Sequence, residues 1–383
     1  MTGLLVTIIM MAIFGGINFY ISKRVHSGIT TVFSKCPFWV VLVILIIFTL
    51  IMILGFAGSM LPLPEAVKRI LGVASSYCMG IFVYLLLFVL LADFVLVIFK
   101  LLGFGFVKTA VYKMASLSVV LVLTVTTVVY GICHAREIEH ISYEIAIEGK
   151  KDISDIKLIM ISDLHLGAVG SEYKLERIVE EINNENPDMV CIAGDFFDTD
   201  YSSIRNPKKA IDTIKNIKSE YGVYACLGNH DAGKTTGKMQ NFLKQCNITV
   251  LNEEYVVIDE RLILAGRLDS TPIGGYGNIS RKNFSDFFDI KETDLPLIVM
   301  DHNPANIDEY SNNVDLILSG HTHKGQIFPA SIVTNLLYKV DHGYYRENSD
   351  SPQVVVSSGV GTWGMPMRVG SDCEIVSIDF LSK

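Results

Sequence analysis

Acidic residues are nearly missing from the first third of this 383-residue chain. Residues 1–133 hold only Glu65 and Asp93 against eight lysines and arginines. That net +6 leaves −14 for residues 134–383 out of a whole-chain −8. So few charges exclude an ordinary soluble fold for the first third. Four apolar stretches, near 3–22, 38–61, 73–99 and 110–132, each supply the roughly 20 residues that a bilayer crossing needs. No basic residue precedes the first stretch and no A-x-A site follows it, which argues against a cleaved signal peptide and predicts a retained helix. The seven cysteines contain no CxxC pair, so neither a zinc knuckle nor a disulfide framework is indicated. Cys191 and Cys226 fall inside apolar runs, where buried thiols are common. There is no internal repeat and no low-complexity tract. The acidic remainder has no basic stripe, which argues against a nucleic-acid partner.

Basic residues in the short loops predict the orientation. Lys23, Arg24 and Lys35 lie in the first loop, Lys68 and Arg69 beside Glu65 in the second, and Lys100, Lys108 and Lys113 in the third. Loops one and three are therefore expected in the cytoplasm, with both chain ends and the acidic domain outside. An acid within a span raises a functional hypothesis for Asp93. A structural role, reaching the interface or a neighbouring helix, is the preferred reading.

Residues 134–142 read as a connector and 143–383 as one soluble domain. Tyr143, Ile145 and Ile147 alternate with Glu144, Ala146 and Glu148, a half-buried strand. Five continuous apolar runs follow: IKLIMIS, DMVCIAG, VYACLG, LPLIVMD and VDLILSG. Such runs suit strands covered on both faces. Leu175, Ile178, Val179 and Ile182 recur at helical spacing between them, as do Met239, Phe242, Leu243 and Cys246. Strands alternating with helices predict an α/β fold with parallel neighbours. Three later segments, YVVIDERLILAG, QVVVSSG and CEIVSIDF, are expected to form a second sheet packed on the first.

Each run ends in a short polar motif, and ligands of α/β sheets gather beyond the carboxyl ends of strands. Asp163 and His165, two apart on an extended strand, would point the same way and share one ion. Asp195 follows Gly194 and offers two carboxylate oxygens. Asp198, three residues on, is placed to orient a ligand. Asn229 offers an amide oxygen, and His230 beside it is free to donate a proton. Asp231 would either fix the His230 ring or cap the following helix. His302 follows a fourth run. His321 and His323 sit behind Gly320 in G-H-T-H, the strongest single signal. Read singly, each is more often a turn residue or a surface histidine. Read together, the mundane explanation needs five separate coincidences at strand ends.

The series D-x-H, G-D-x-x-D, G-N-H-D, a later histidine and G-H-x-H resembles the calcineurin-like metallophosphoesterase superfamily, over roughly residues 155–370. The resemblance extends to its membrane-linked branch, through the preceding helices and through Gly359 to Arg368. It implies a metallophosphoesterase-type αββα sandwich in which Asp163, His165 and His323 hold one metal ion and Asn229, His302 and His321 a second. Asp195 would bridge the two ions, and His230 would donate a proton to the leaving group. Mixed N/O ligation suits Mn, Fe or Zn rather than calcium. Two such ions acidify a shared water, and the hydroxide hydrolyses phosphomono- or phosphodiesters. Where the branch often has glycine after G-H-T-H, this chain has Lys324, which becomes a candidate for phosphate contact together with Arg368. Residues 270–290 are expected to form a loop or small cap beside the site. The membrane segment suggests a lipid-linked substrate, a UDP-diacylglucosamine-like pyrophosphate or a lipid phosphate. The alternative is a catalytically silent metal-binding scaffold or sensor at the membrane.

Overall fold

The first four elements are helices: α1 (Thr2–Ile29), α2 (Phe38–Phe56), α3 (Glu65–Leu101) and α4 (Ala110–His134). The computed structural model describes residues 2–58, 61–167, 169–198, 200–287, 293–310 and 314–381. All four helices are long and apolar enough to cross a membrane. Positions 59 and 60 of the expected second span lie outside the described residues. The third span, expected over 73–99, belongs to a helix of 37 residues, about 55 Å long. Two sets of polar side chains pair across helices of this unit, which suits a medium without water. Asn18 and Thr49 exchange hydrogen bonds of 2.9 and 3.1 Å between α1 and α2. Asp93 on α3 accepts from Tyr20 (2.5 Å) and Arg24 (2.7 Å) on α1, which places it with the structural reading.

The chain divides into two units, Met1–Gly131 and Ile132–Lys383. The second holds twelve described strands in two six-stranded sheets. The first sheet runs β1 (Glu139–Ala146), β12 (Glu374–Leu381), β2 (Lys157–Ile161), β3 (Met189–Ala193), β4 (Val223–Cys226) and β5 (Ile248–Val250). The second runs β10 (Gly343–Tyr345), β11 (Gln353–Val356), β9 (Leu316–Ser319), β8 (Leu297–Met300), β7 (Leu262–Gly266) and β6 (Glu254–Ile258). In the first, β2 to β5 are parallel and β12 is antiparallel to β2. In the second, β7, β8, β9 and β11 are parallel, with antiparallel strands at both edges.

Two allotments differ from the sequence reading. CEIVSIDF, expected in the second sheet, is β12 of the first, whereas LPLIVMD and VDLILSG supply β8 and β9 of the second. Apolar content marks a buried strand but does not choose its neighbour. The opening strand also begins at Glu139 rather than Tyr143, because Glu139 to Ala146 pair residue by residue with β12. The first half of that strand therefore takes up residues read as connector.

Three apolar layers hold these sheets. Leu158, Met160, Leu264, Ile298, Leu316 and Val376 meet between them. The outer face of the first sheet carries α5 (Leu175–Asn184), α6 (Pro207–Ile214) and α7 (Thr236–Gln245), which bury Ile178, Ile182, Ile214 and Phe242. On the outer face of the second, Val299, Ile317 and Val354 pack under Ile307 and Tyr310, beside α8 (Phe284–Phe287). The last helix is α9 (Ala330–Leu337). The arrangement is an αββα sandwich, and β2, β3, β4, β8 and β9 each deliver a motif at their carboxyl end.

Candidate metal centre

The backbone turns sharply where those strands stop. Asp163, His165, Asp195, His321 and His323 all have left-handed φ values between +45° and +72°. This conformation costs a side-chain-bearing residue about 1–2 kcal/mol. Asp163 and His165 therefore do not project from an extended strand as expected. They lie past the end of β2 at Ile161, in a turn whose amides reach across to the neighbouring motif. Asp163 N–H donates to Gly194 O (3.0 Å), and His165 N–H donates to Asp195 O (3.1 Å). Glycine is required where the loops press together: a Cβ on Gly194 (φ +81°) would lie 2.6 Å from the His302 ring.

The seven proposed donors converge. Candidate ligand atoms of Asp163, His165 and His323 lie within 4.8 Å of one another, as do those of Asp195, His302 and His321. His302 Nε2 is 3.1 Å from Asp195 Oδ2 and 3.9 Å from Asp163 Oδ1. His165 Nε2 lies 3.1 Å from His323 Nε2, and His321 Nδ1 lies 2.9 Å from Asn229 Oδ1. Outer hydrogen bonds fix the orientations. His302 Nδ1 donates to Ala193 O (2.7 Å), Ser162 Oγ to Asp163 (2.6 Å), and the His230 amide to Asp195 Oδ1 (2.8 Å).

Burial sets the protonation states. It pushes His165 down to about 3 and His321 down to about 4, and holds His323 well below the usual histidine range. These imidazoles are neutral at pH 7. Burial also lifts Asp163, up to about 6. Burial opposes charge on His302 and Asp195 as well, but their mutual attraction prevails: His302 rises well above an ordinary histidine and Asp195 falls below an ordinary carboxylate.

This set fits divalent cations. Two neutral imidazoles confront each other through Nε2. The His302 Nε2 is buried beside two carboxylates, 3.1 Å from Asp195 Oδ2, and the buried His165 Nδ1 has no hydrogen-bond partner among the described residues. A mixed imidazole, carboxylate and amide set matches transition ions.

Asp198 lies near His165 and His230, with candidate ligand atoms within 4.8 Å. Two other expectations are revised. Asp231 is no solvated cap of the helix that follows: its carboxylate closes the short turn Asn229–Asp231 through the Gly228 amide. It is fully buried, and its carboxylate accepts the amides of Phe196 (3.2 Å), Phe197 (2.9 Å) and Gly228 (2.8 Å), tying two motif loops together. Arg368 does not face substrate. Its guanidinium is wholly buried and donates to the carbonyls of His323 (3.0 Å), Ser358 (2.7 Å), Gly359 (3.1 Å) and Gly361 (2.7 Å). The loop expected over residues 270–290 is anchored beside the site by two of its side chains. Tyr276 is buried and donates to Gly228 O (2.9 Å), and Arg281 grips Asp301, the residue before His302. Residues 288–290 of that stretch lie outside the described residues. Lys324 is half-buried and has no ion-pair partner among the described residues.

Asp269 was not singled out in the sequence. It is 1% exposed, its Oδ2 lacks a partner among the described residues, and its charge acts on His302 and His321. The available signal was its place just beyond β7, like the other acids at strand ends. Trp363, 5.5 Å from His230 between ring centroids, carried no such signal.

The calcineurin-like phosphoesterase family profile matches residues 156–325. A transmembrane protein with metallophosphoesterase domain from Danio rerio is 30% identical over 88% of this chain and 79% of its own length. An uncharacterized metallophosphoesterase of Campylobacter jejuni is 29% identical over 99% of both chains. One from Helicobacter pylori is 34% identical over 60% of this chain, which spans 60% of that relative's length. With four apolar helices and relatives of this kind, the chain is a membrane protein whose family binds divalent metals: it belongs to the calcineurin-like metallophosphoesterases.

Proposed function

We propose that this chain is a multi-pass membrane phosphoesterase dependent on two divalent ions, manganese, iron or zinc. The carrying observation is the convergence of seven N and O donors, from five strand ends, around confronted neutral imidazoles. Asp163, His165 and His323 would hold one ion, Asn229, His302 and His321 the other, and Asp195 would bridge them. Bound cations supply charge to the phosphoryl oxygens and acidify water. The protein's own part is positional. Ala193 fixes the His302 ring, and the left-handed turns aim the donors inward. His230 stands within reach of Asp198 beside the cluster, placed to hand a proton to the leaving oxygen. Lys324, without an acid partner among the described residues, suits a phosphate oxygen.

The membrane helices support a lipid-linked phosphoester as substrate, either a lipid phosphate or a nucleotide-diphosphate lipid. The full chain in detergent with Mn²⁺ should hydrolyse a chromogenic phosphomonoester or phosphodiester. Asp195→Asn should lower turnover at least about a thousandfold and reduce bound metal measured by elemental analysis. Stoichiometric metal without turnover on a broad phosphoester panel would refute the enzyme reading.

A further inference from the structure

α9 is built inside out. Ile332, Val333, Leu336 and Leu337 share one helix face and are 53, 54, 80 and 74% exposed. A polar residue faces the protein instead: Thr334 Oγ1 donates to Asp341 Oδ2 (2.8 Å). Surface helices ordinarily turn the apolar stripe to the core, yet no residue of α9 is buried. Phe328, just before the helix, is 48% exposed and continues the apolar surface.

This helix stands beside the metal centre. The Tyr338 ring at its end is 6.1 Å from that of His321. Thr322, between His321 and His323, hydrogen-bonds the backbone of Asp341. Trp363, 40% exposed and hydrogen-bonded through its backbone to Gln326, adds an aromatic of the kind that settles at membrane interfaces.

We propose that α9 rests in the membrane interface with its apolar face among the lipids, and that the centre beside it takes its phosphoester from an amphiphile in the same bilayer. The second half rests on the phosphoesterase reading. The chain itself names the bilayer as occupant. α4, long and apolar enough to cross, ends at His134 and β1 begins at Glu139, a connection that reaches no more than about 18 Å. So short a connection keeps the catalytic unit near a bilayer, the apolar phase that its own chain supplies. Interfacial helices sink their apolar face about 5–10 Å into the headgroup boundary.

The test uses the full chain in phosphatidylcholine nanodiscs. The chain has two tryptophans, Trp39 and Trp363. In a background with both changed to Phe, Leu336→Trp should emit at shorter wavelength and be quenched by acyl-brominated phosphatidylcholine. An unquenched, water-like emission overturns the proposal, as does a concentration-dependent dimer that shields the residue without quenching. In the otherwise unchanged chain, the double variant Leu336→Glu, Leu337→Glu should lose about tenfold or more in kcat/KM on phosphatidate in the disc. It should keep its rate on soluble p-nitrophenyl phosphate. Equal loss on both substrates overturns the substrate half. Quenching with no turnover of any phosphoester leaves α9 at the membrane and overturns the phosphoesterase reading alone.

Discussion

Asp231 and Arg368 play matching parts, one as acceptor and the other as donor. Each is buried in dry surroundings and each satisfies backbone groups of loops that would otherwise part. Asp231→Ala would leave three amides without an acceptor, at about 1–3 kcal/mol each. The expected loss is at least about 3 kcal/mol in denaturant unfolding of the full chain. A loss under about 1 kcal/mol would contradict this reading. Arg368→Met should be as damaging and should also lower metal occupancy, since Arg368 Nη1 anchors the carbonyl of His323. Neither role was legible in the sequence. G-N-H-D shows an acid beside a histidine, and only the folded backbone reveals that its carboxylate gathers three backbone amides. An arginine near a phosphate site invites a phosphate contact, and nothing in its spacing announces four waiting carbonyls.

At the level of elements, the start of β12 carries a pH-sensitive joint. Glu374 accepts from the Ser358 amide (2.8 Å) and pairs with His342 Nε2 (2.9 Å). Burial opposes its charge, but the His342 contact and the Ser358 amide prevail and hold the carboxyl below its ordinary 4.5. A depressed carboxyl contributes stability that is complete above its unfolded value and lost as pH falls through the folded one. Unfolding of the full chain should therefore become easier below about pH 4.5, and Glu374→Gln should flatten that part of the profile. An unchanged acid limb would refute the assignment. β12 also shows where sequence reading stopped. Its apolar run revealed a strand, as did those of β2, β3, β4, β8 and β9. Its partners β1 and β2 are set by hydrogen bonds across more than 200 residues of chain, which periodicity does not encode. The helices α5 and α7 were legible because a 3.6-residue repeat is a local property. The left-handed turn at Asp163 was not, because one backbone angle leaves no mark on a hydrophobic pattern.

Across the whole molecule, charge is divided by function: net +6 in residues 1–133 and −14 in the remainder. Basic residues in the first and third loops resist translocation, and the expectation drawn from them is a catalytic domain on the outer side; its own acidity fits either side. Protease added to intact cells should reach that domain without lysis, and protection until lysis would reverse the orientation. On that outer side, thiols would face oxidation. Cys191, Cys226, Cys246 and Cys373 are buried, and burial raises the thiols of Cys191, Cys226 and Cys246, keeping them unreactive. The sequence disclosed this division in full, because hydropathy and charge are summed quantities that need no geometry.

The left-handed turns at the rim carry one more consequence. Loops held in a disfavoured conformation are the first to let go when nothing grips them. In chelator-treated protein, amide hydrogens of residues 162–166 and 320–324 should exchange with solvent well before those of β2 and β9. Cation addition should slow that exchange selectively, and uniform rates across rim and sheet would show that these corners open no sooner than the strands they join.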